Sequence, residues 1–429
     1  MKTLTIWLIA AVQICAAADI SGNWIAQVSG AGDPQYFRVN LRADGAKLTG
    51  TWNESKIEGA VEGDQVKLSI LQSGGKALLT GALKNGEAFG VGQMSMRRRA
   101  EGAAETQQIA WKLTRLAEPP KSPKTWDFVP KEFQRYYSAA IPPVLRVFPG
   151  DTIRTSTVDS GGLDANHERR SPGGNPETGP FYIEGALPGD TLVVKLNKVR
   201  LNRDTARSGA RINGRTVTPA YVATAKYAEA FDSEWKLDRA QGVAMLAHPT
   251  ERMKNYKVPI LTMIGCLATA PAGDLSYRAT DLGPFGGNMD YNQMGEGVTL
   301  YLPVFQPGAL FSLGDGHAAM GDGELTGGAL ETSLDVEFTV DLVKGFATAN
   351  PRLENKEYVM SMGIAGSIPD SIQSATAQLA TWLKGLYQLN DNEMALLLGT
   401  ALKYDITEMV DSQFNVVAKV PKSALAGFQ

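Results

Sequence analysis

The chain has 429 residues, 43% of them hydrophobic and 20% charged, with 42 Lys+Arg against 45 Asp+Glu. This composition supports a large buried core and excludes a mostly disordered chain, while the near-balanced charge excludes the basic footprint of a nucleic-acid binder. Beyond the N-terminus no apolar run reaches the roughly 18 residues of a membrane span, so the feature left to explain is the 45 glycines, gathered in a few places.

The first residues read as a targeting segment. Lys2 precedes the apolar run Leu4 to Ile14, and Ala16-Ala17-Ala18 leads into Asp19, the pattern of a secretory signal cut after Ala18. The expectation is a signal peptide over 1–18 and an exported protein, periplasmic or secreted. Val12-Gln13-Ile14 lacks the small residues that precede a lipoprotein cysteine, so Cys15 is not read as an anchor. Processing leaves Cys266 as the sole cysteine, which excludes an intrachain disulfide.

From 19 to 117 short alternating runs, such as Trp24 to Val28, Phe37 to Leu41 and Ile109 to Leu113, are separated by Asp44-Gly45, Glu62-Gly63-Asp64, Gly74-Gly75 and Asn85-Gly86. These are hairpin signals, and they predict an accessory antiparallel β domain, a small barrel or sandwich. Gly22-Asn23-Trp24 and Gly50-Thr51-Trp52 echo one another. Trp24, Trp52 and Trp111 suit either a ligand platform or, on alternating strands, the core. Arg97-Arg98-Arg99 is read as a solvated hairpin.

Three prolines within Glu118 to Lys124 predict a stiff, extended linker over 118–125. A second domain over 126–429 is expected to be mainly β in an α+β fold, a β-sandwich-like unit. Thr152 to Val158 and Thr191 to Leu196 follow Pro-Gly-Asp turns, and Ser333 to Val340 alternates strictly. Helical spacing takes over after about Ile368, with Ile372, Ala375, Leu379, Leu383 and Leu386 behind Asp370 as a cap. A second helical run, Met394 to Tyr404, follows Asn390-Asp391-Asn392-Glu393. The C-terminal 60 residues are thus read as helical packing or oligomer surface rather than chemistry.

The densest chemical signal is Gly314-Asp315-Gly316-His317-Ala318-Ala319-Met320-Gly321-Asp322-Gly323-Glu324. In extended backbone Asp315 and His317 share a face, as do Asp322 and Glu324. Three carboxylates and one imidazole among glycines can converge on a cation, and oxygen donors with one imidazole suit Zn, Mn, Ca or a mixed pair. The bland alternative is a solvated Gly/Asp surface turn. Against it, the chain has only 3 His, and one sits in this segment. The loops Gly286-Gly287-Asn288-Met289-Asp290 and Gly173 to Pro180 carry further Asn, Asp and Glu among glycines.

At these residues the chain resembles the acetamidase/formamidase family. The resemblance rests on GGNPETGPFYIEGALPGD (Gly173 to Asp190), GGNMD (Gly286 to Asp290), EGVTLYLPVFQPGALFSLGDGHAAMGDGE (Glu296 to Glu324), Ile264 to Pro271 and Ile141 to Val144, in order over about 140–345. Cys266 stands where the family commonly has an aliphatic residue. The resemblance implies a β-rich fold, hydrolysis of short linear amides such as formamide or acetamide, and a divalent metal. By motif, Asp290, Asp315, His317 and Asp322 become the expected metal ligands, and Glu324, Glu184 and Asn288 the expected catalytic or pocket residues. Zinc is the expected ion, with a second such as calcium as a variant. A small amide substrate and a homo-oligomer complete the expectation. A non-catalytic exported binding protein of the same fold is the alternative.

Other nucleophiles are poorer candidates. Cys266 lies in an apolar stretch that suits a buried structural thiol. His248 is read as packing or capping locally and His167 as a loop residue. Phe285, Met289, Tyr291 and Phe305 suit either a pocket wall or the core.

Overall fold

The computed structural model describes residues 20–72, 75–97 and 104–428. The signal-peptide segment, Gly74, Arg98 and Arg99 lie outside the described residues. The chain divides into two compact units, Met1–Glu118 and Pro119–Gln429.

The first unit is a closed barrel of eight antiparallel strands running from Gly22–Gly30 to Ala104–Arg115, each paired with its sequence neighbour and the last with the first. Closure leaves no free edge, which is how so short a β domain avoids pairing with other chains. The Asn85-Gly86 turn has both residues at positive φ (53° and 78°), the backbone of a type I′ hairpin. Trp24 and Trp52 both pair with Val39 from its two sides, so the echoed motif marks two strands flanking a third. Both rings and Trp111 are buried in the barrel core, and they do not form a surface platform.

The second unit is built on two large sheets. One has nine strands, from the edge strand Lys403–Glu408 through Phe414–Pro421, Tyr358–Ala365, Arg352–Glu354, Thr299–Pro303, Thr191–Leu201 and Leu334–Val343 to Thr152–Ser156 and Thr125–Asp127. The other has six, with Phe311–His317 and Met263–Ala268 at its centre. Alternation in Leu334–Val343 puts Leu334, Val336, Phe338 and Val340 inside, as its pattern predicts. Met263–Ala268 and Phe311–His317 are buried at every position, because both faces of these strands are covered. Phe338 packs against Phe181 and Phe311 at centroid distances of 5.5 and 5.4 Å in the main core. Phe285, Met289 and Tyr291 are buried core residues and Phe305 packs beside them.

The helices run Ile368–Tyr387 and Asp391–Ala401. Ser367, not Asp370, caps the first: its hydroxyl accepts from the Asp370 N–H and donates to that carboxylate. Asn390 and Glu393 form a capping box on the second. That helix ends at Ala401, and the chain returns as the strands Lys403–Glu408 and Phe414–Pro421. The reading of residues after 402 as helix is therefore corrected. Met394 and Leu397 face the core, and past Ala401 the β pattern Tyr404 to Thr407 completes the sheet instead.

Candidate functional site

The acidic and imidazole residues converge where the Lys403–Glu408 edge meets the six-stranded sheet. Asp315 and His317 come from one central strand, and Asp290 follows the strand Gly286–Asn288, which lies one strand further across, on the other side of Met263–Ala268. Their donor atoms lie within 4.8 Å of one another. His317 Nε2 is 3.5 Å from Asp315 Oδ1, and Nδ1 is 3.9 Å from Asp290 Oδ1. Two further groups share members with this one: His317 with Glu324 and Glu331, and Asp290 with Glu408 and Asp411.

Backbone geometry shows why glycine surrounds these residues. A side chain at Gly265 would put its Cβ 2.4 Å from Asp290 Oδ1 and 2.7 Å from Asp315 Oδ2, so only glycine lets two carboxylates close over the central strand. Asn175, Asp290, Asp315 and Glu324 all have left-handed backbone, with φ of 51°, 40°, 58° and 45°. That conformation is costly for residues with a Cβ and concentrates at functional sites. Two ties hold the Asp290 turn: Thr407 Oγ1 and Asn415 Nδ2 both donate to the Met289 carbonyl, at 3.1 and 2.9 Å.

The cluster is polar, buried and incompletely satisfied. Asp290 and His317 are fully buried and Asp315 nearly so. Both Asp290 oxygens, Asp315 Oδ1, both His317 ring nitrogens, Glu331 Oε2 and Glu408 Oε2 lack a hydrogen-bond partner. Buried groups are almost always paired, and these residues form groups that could hold a metal ion. Burial, together with neighbouring carboxylates, raises Asp315 to about 6, Glu408 to about 8 and Glu324 to about 9. Burial opposes the imidazolium of His317, but Glu331 and Asp315 outweigh it and raise the pKa.

A cavity of about 390 Å³ opens onto the cluster and is lined by Asn175, Asn288, Asp315, Glu324, Glu331 and Asp411 among others. Asn175 Nδ2 donates to Asn288 Oδ1 and Asp315 Oδ2 at 2.9 Å each, and Asn288 donates to Asp411. Behind this wall the Cys266 thiol donates to Asn288 Oδ1 at 2.8 Å. Burial, then Glu177 and Asp315, push that thiol up, so it is a neutral packing group. Glu177 is fully buried beside Gly314, and neither carboxylate oxygen has a hydrogen-bond partner.

Of the residues singled out in the sequence, Asp290, Asp315, His317, Glu324 and Asn288 meet here. Asp322 does not: its side chain is exposed and accepts from Asn292 at 2.7 Å. Left-handed Gly323 turns the chain between it and Glu324, so the two side chains do not share an extended face. Glu184 is also elsewhere, held by Arg146 Nε at 2.6 Å. His248 pairs with Asp232 at 2.7 Å, and His167 contacts Thr205. Sequence reasoning passed over Glu331, Glu408 and Asp411, and placed Glu177 only within a polar loop. The available signal for Glu408 was a carboxylate in a β-patterned stretch, Tyr404 to Glu408.

Residues 283–418 match the model of the Acetamidase/Formamidase family. The acetamidase of Mycolicibacterium smegmatis is 27% identical over 222 residues, 39% of this chain and 53% of that protein. The formamidase of Methylophilus methylotrophus is 24% identical over 257 residues, 48% of this chain and 62% of that protein. The chain thus spans about half to three fifths of the length of these curated relatives. In three dimensions it is similar to the crystal structure of an acetamidase from Yersinia enterocolitica, with a TM-score of 0.60 at 29% identity over 71% of this chain and 94% of that one. The family resemblance read from the sequence is borne out.

Proposed function

We propose, from an acetamidase/formamidase family domain carried on residues 283–418, that the protein is an exported, cation-dependent hydrolase of short linear amides. The observation that carries this reading is the set of orphaned, buried donors on Asp290, Asp315 and His317, for which a solvated surface turn offers no explanation. Carboxylates with a single imidazole fit a divalent ion, with zinc the first choice and a second ion such as calcium served by Glu408 and Asp411. A divalent cation held there supplies Lewis acidity to an amide carbonyl and lowers the pKa of water towards ~7.

The chain's own residues do the rest. Glu324 Oε1 is occupied by the Ala329 N–H at 3.0 Å, which leaves Oε2 to take a proton from the attacking water and pass it to the departing nitrogen. Water attacks the carbonyl carbon, the C–N bond breaks, and carboxylate and ammonia leave. Asn175 orients Asp315 and is itself held by Asn288, and both line the pocket. The leader-like residues 1–18 support export, and N-terminal sequencing of the secreted form should begin at Asp19.

Ammonia release from formamide, acetamide and propionamide tests the reading, before and after chelation and on adding zinc back. Turnover lost on chelation and restored by the ion is expected. An ion bound stoichiometrically with no turnover on any amide would overturn it in favour of a binding protein.

A further inference from the structure

A second and larger cavity, about 840 Å³, lies in the same unit between the Arg352–Glu354 strand, the Ile368–Tyr387 helix and the last described residues, and shares no lining residue with the acidic cavity. At its floor is Arg352, 4% exposed. The guanidinium stacks over Trp382 and Phe346, at 5.2 and 5.7 Å from the ring centroids. Its Nε makes no hydrogen bond, and among the described residues no carboxylate pairs with it. The one carboxylate residue in the lining, Glu354, is already committed, to Lys422 at 2.7 Å and to the Tyr301 hydroxyl at 2.5 Å.

The neighbouring strand adds a second unmet group. Arg352 lies directly opposite Ser361, so the two side chains share a face, and Ser361 Oγ is buried without a partner. An uncompensated buried charge is among the costliest features a fold can keep. Above it the walls are apolar, and Phe346 and Leu386 remain 51% and 56% exposed. Arg352 and Lys422 against Glu354 leave this lining with one net positive charge.

We propose that this cleft binds a small carboxylate with an apolar body, such as an arylalkanoate or a medium-chain fatty acid. The carboxylate takes the guanidinium of Arg352 where it lines the cleft, planar fork meeting planar anion. The tail covers Trp382, Phe346 and Leu386. One ligand so supplies the missing counter-charge and covers the exposed rings.

Calorimetric titration of the full chain, freed of metal by chelation, with 4-phenylbutyrate and its neutral counterpart 4-phenyl-1-butanol tests this. One site per chain is expected, with the alcohol weaker by roughly tenfold or more, the worth of a charge-assisted hydrogen bond. R352M should lose the same factor and R352K part of it, while H317A binds as the wild type does. F346D replaces a half-exposed ring that stacks on Arg352 and supplies a competing carboxylate; it should abolish binding, and serves if R352M fails to fold. Absence of saturable binding, equal affinity for the alcohol, or undiminished binding by a folded R352M or F346D would each overturn the proposal, as would loss of binding in H317A.

Discussion

The residues expected at the site divide into those left with unpaired buried donors and those whose polar atoms are already paired elsewhere. His317 has two unpaired ring nitrogens, and His317→Ala is expected to abolish stoichiometric zinc, measured by elemental analysis, together with amide turnover. Asp322 and Glu184 are satisfied by Asn292 and Arg146 away from the cluster. Asp322→Asn and Glu184→Gln should therefore keep ammonia release within about threefold of wild type, a factor worth under 1 kcal/mol. A hundredfold loss in either would return it to the site. The pH behaviour follows from the same residues. Asp315, Glu408 and Glu324 hold protons in the folded, cation-free state up to about 6, 8 and 9, whereas in the unfolded chain they ionise near 4. Folding then binds protons, so the stability of chelated protein falls as pH rises from about 4 through 9. Glu331, held low by His317 despite its burial, works in the opposite direction at the acid end. Urea midpoints of the chelated protein should be lower at pH 9 than at pH 6, and uptake of the ion should release protons.

Elements bring these residues together through a few buried polar ties. Arg203 Nη2 pairs with Asp159 at 2.6 Å, its Nε bonds Thr332 next to Glu331, and both groups are buried. One guanidinium thus fastens the 159–175 loop, which carries Asn175, to the segment that carries Glu331. Arg203→Met leaves Asp159 buried without its cation, held only by the Leu163 N–H, and is expected to cost about 3–5 kcal/mol in urea unfolding. On the other side, Thr407 and Asn415 anchor the C-terminal hairpin to the Asp290 turn. Strand alternation in Leu334–Val343 and the Asn390 capping box were legible in the sequence because both depend on neighbours within a few positions. The return of the chain as strands after Ala401 was not, since those residues are β only by completing the edge of the nine-stranded sheet.

At the scale of the whole molecule, the barrel and the second unit each have their own core. A fragment spanning 119–429 is expected to be soluble and to release ammonia from amides as the full chain does. Aggregation of that fragment would count against an independent second unit. The barrel keeps its tryptophans inside, so nothing in its ring placement recommends it as a binding platform.

By itself the sequence determined the β class, the hairpin chemistry of the first unit and the segments bearing Asp290, Asp315, His317 and Glu324, because turn residues, alternation and motif spacing are local. Tertiary structure alone decided that Glu331, Glu408 and Asp411 join them while Asp322 and Glu184 do not. Convergence of carboxylates over Gly265 depends on strands far apart in sequence, and no spacing rule records which of two acidic residues a left-handed glycine turns outward. The same holds for Arg352, an unremarkable residue in the chain that only packing leaves buried and unpaired.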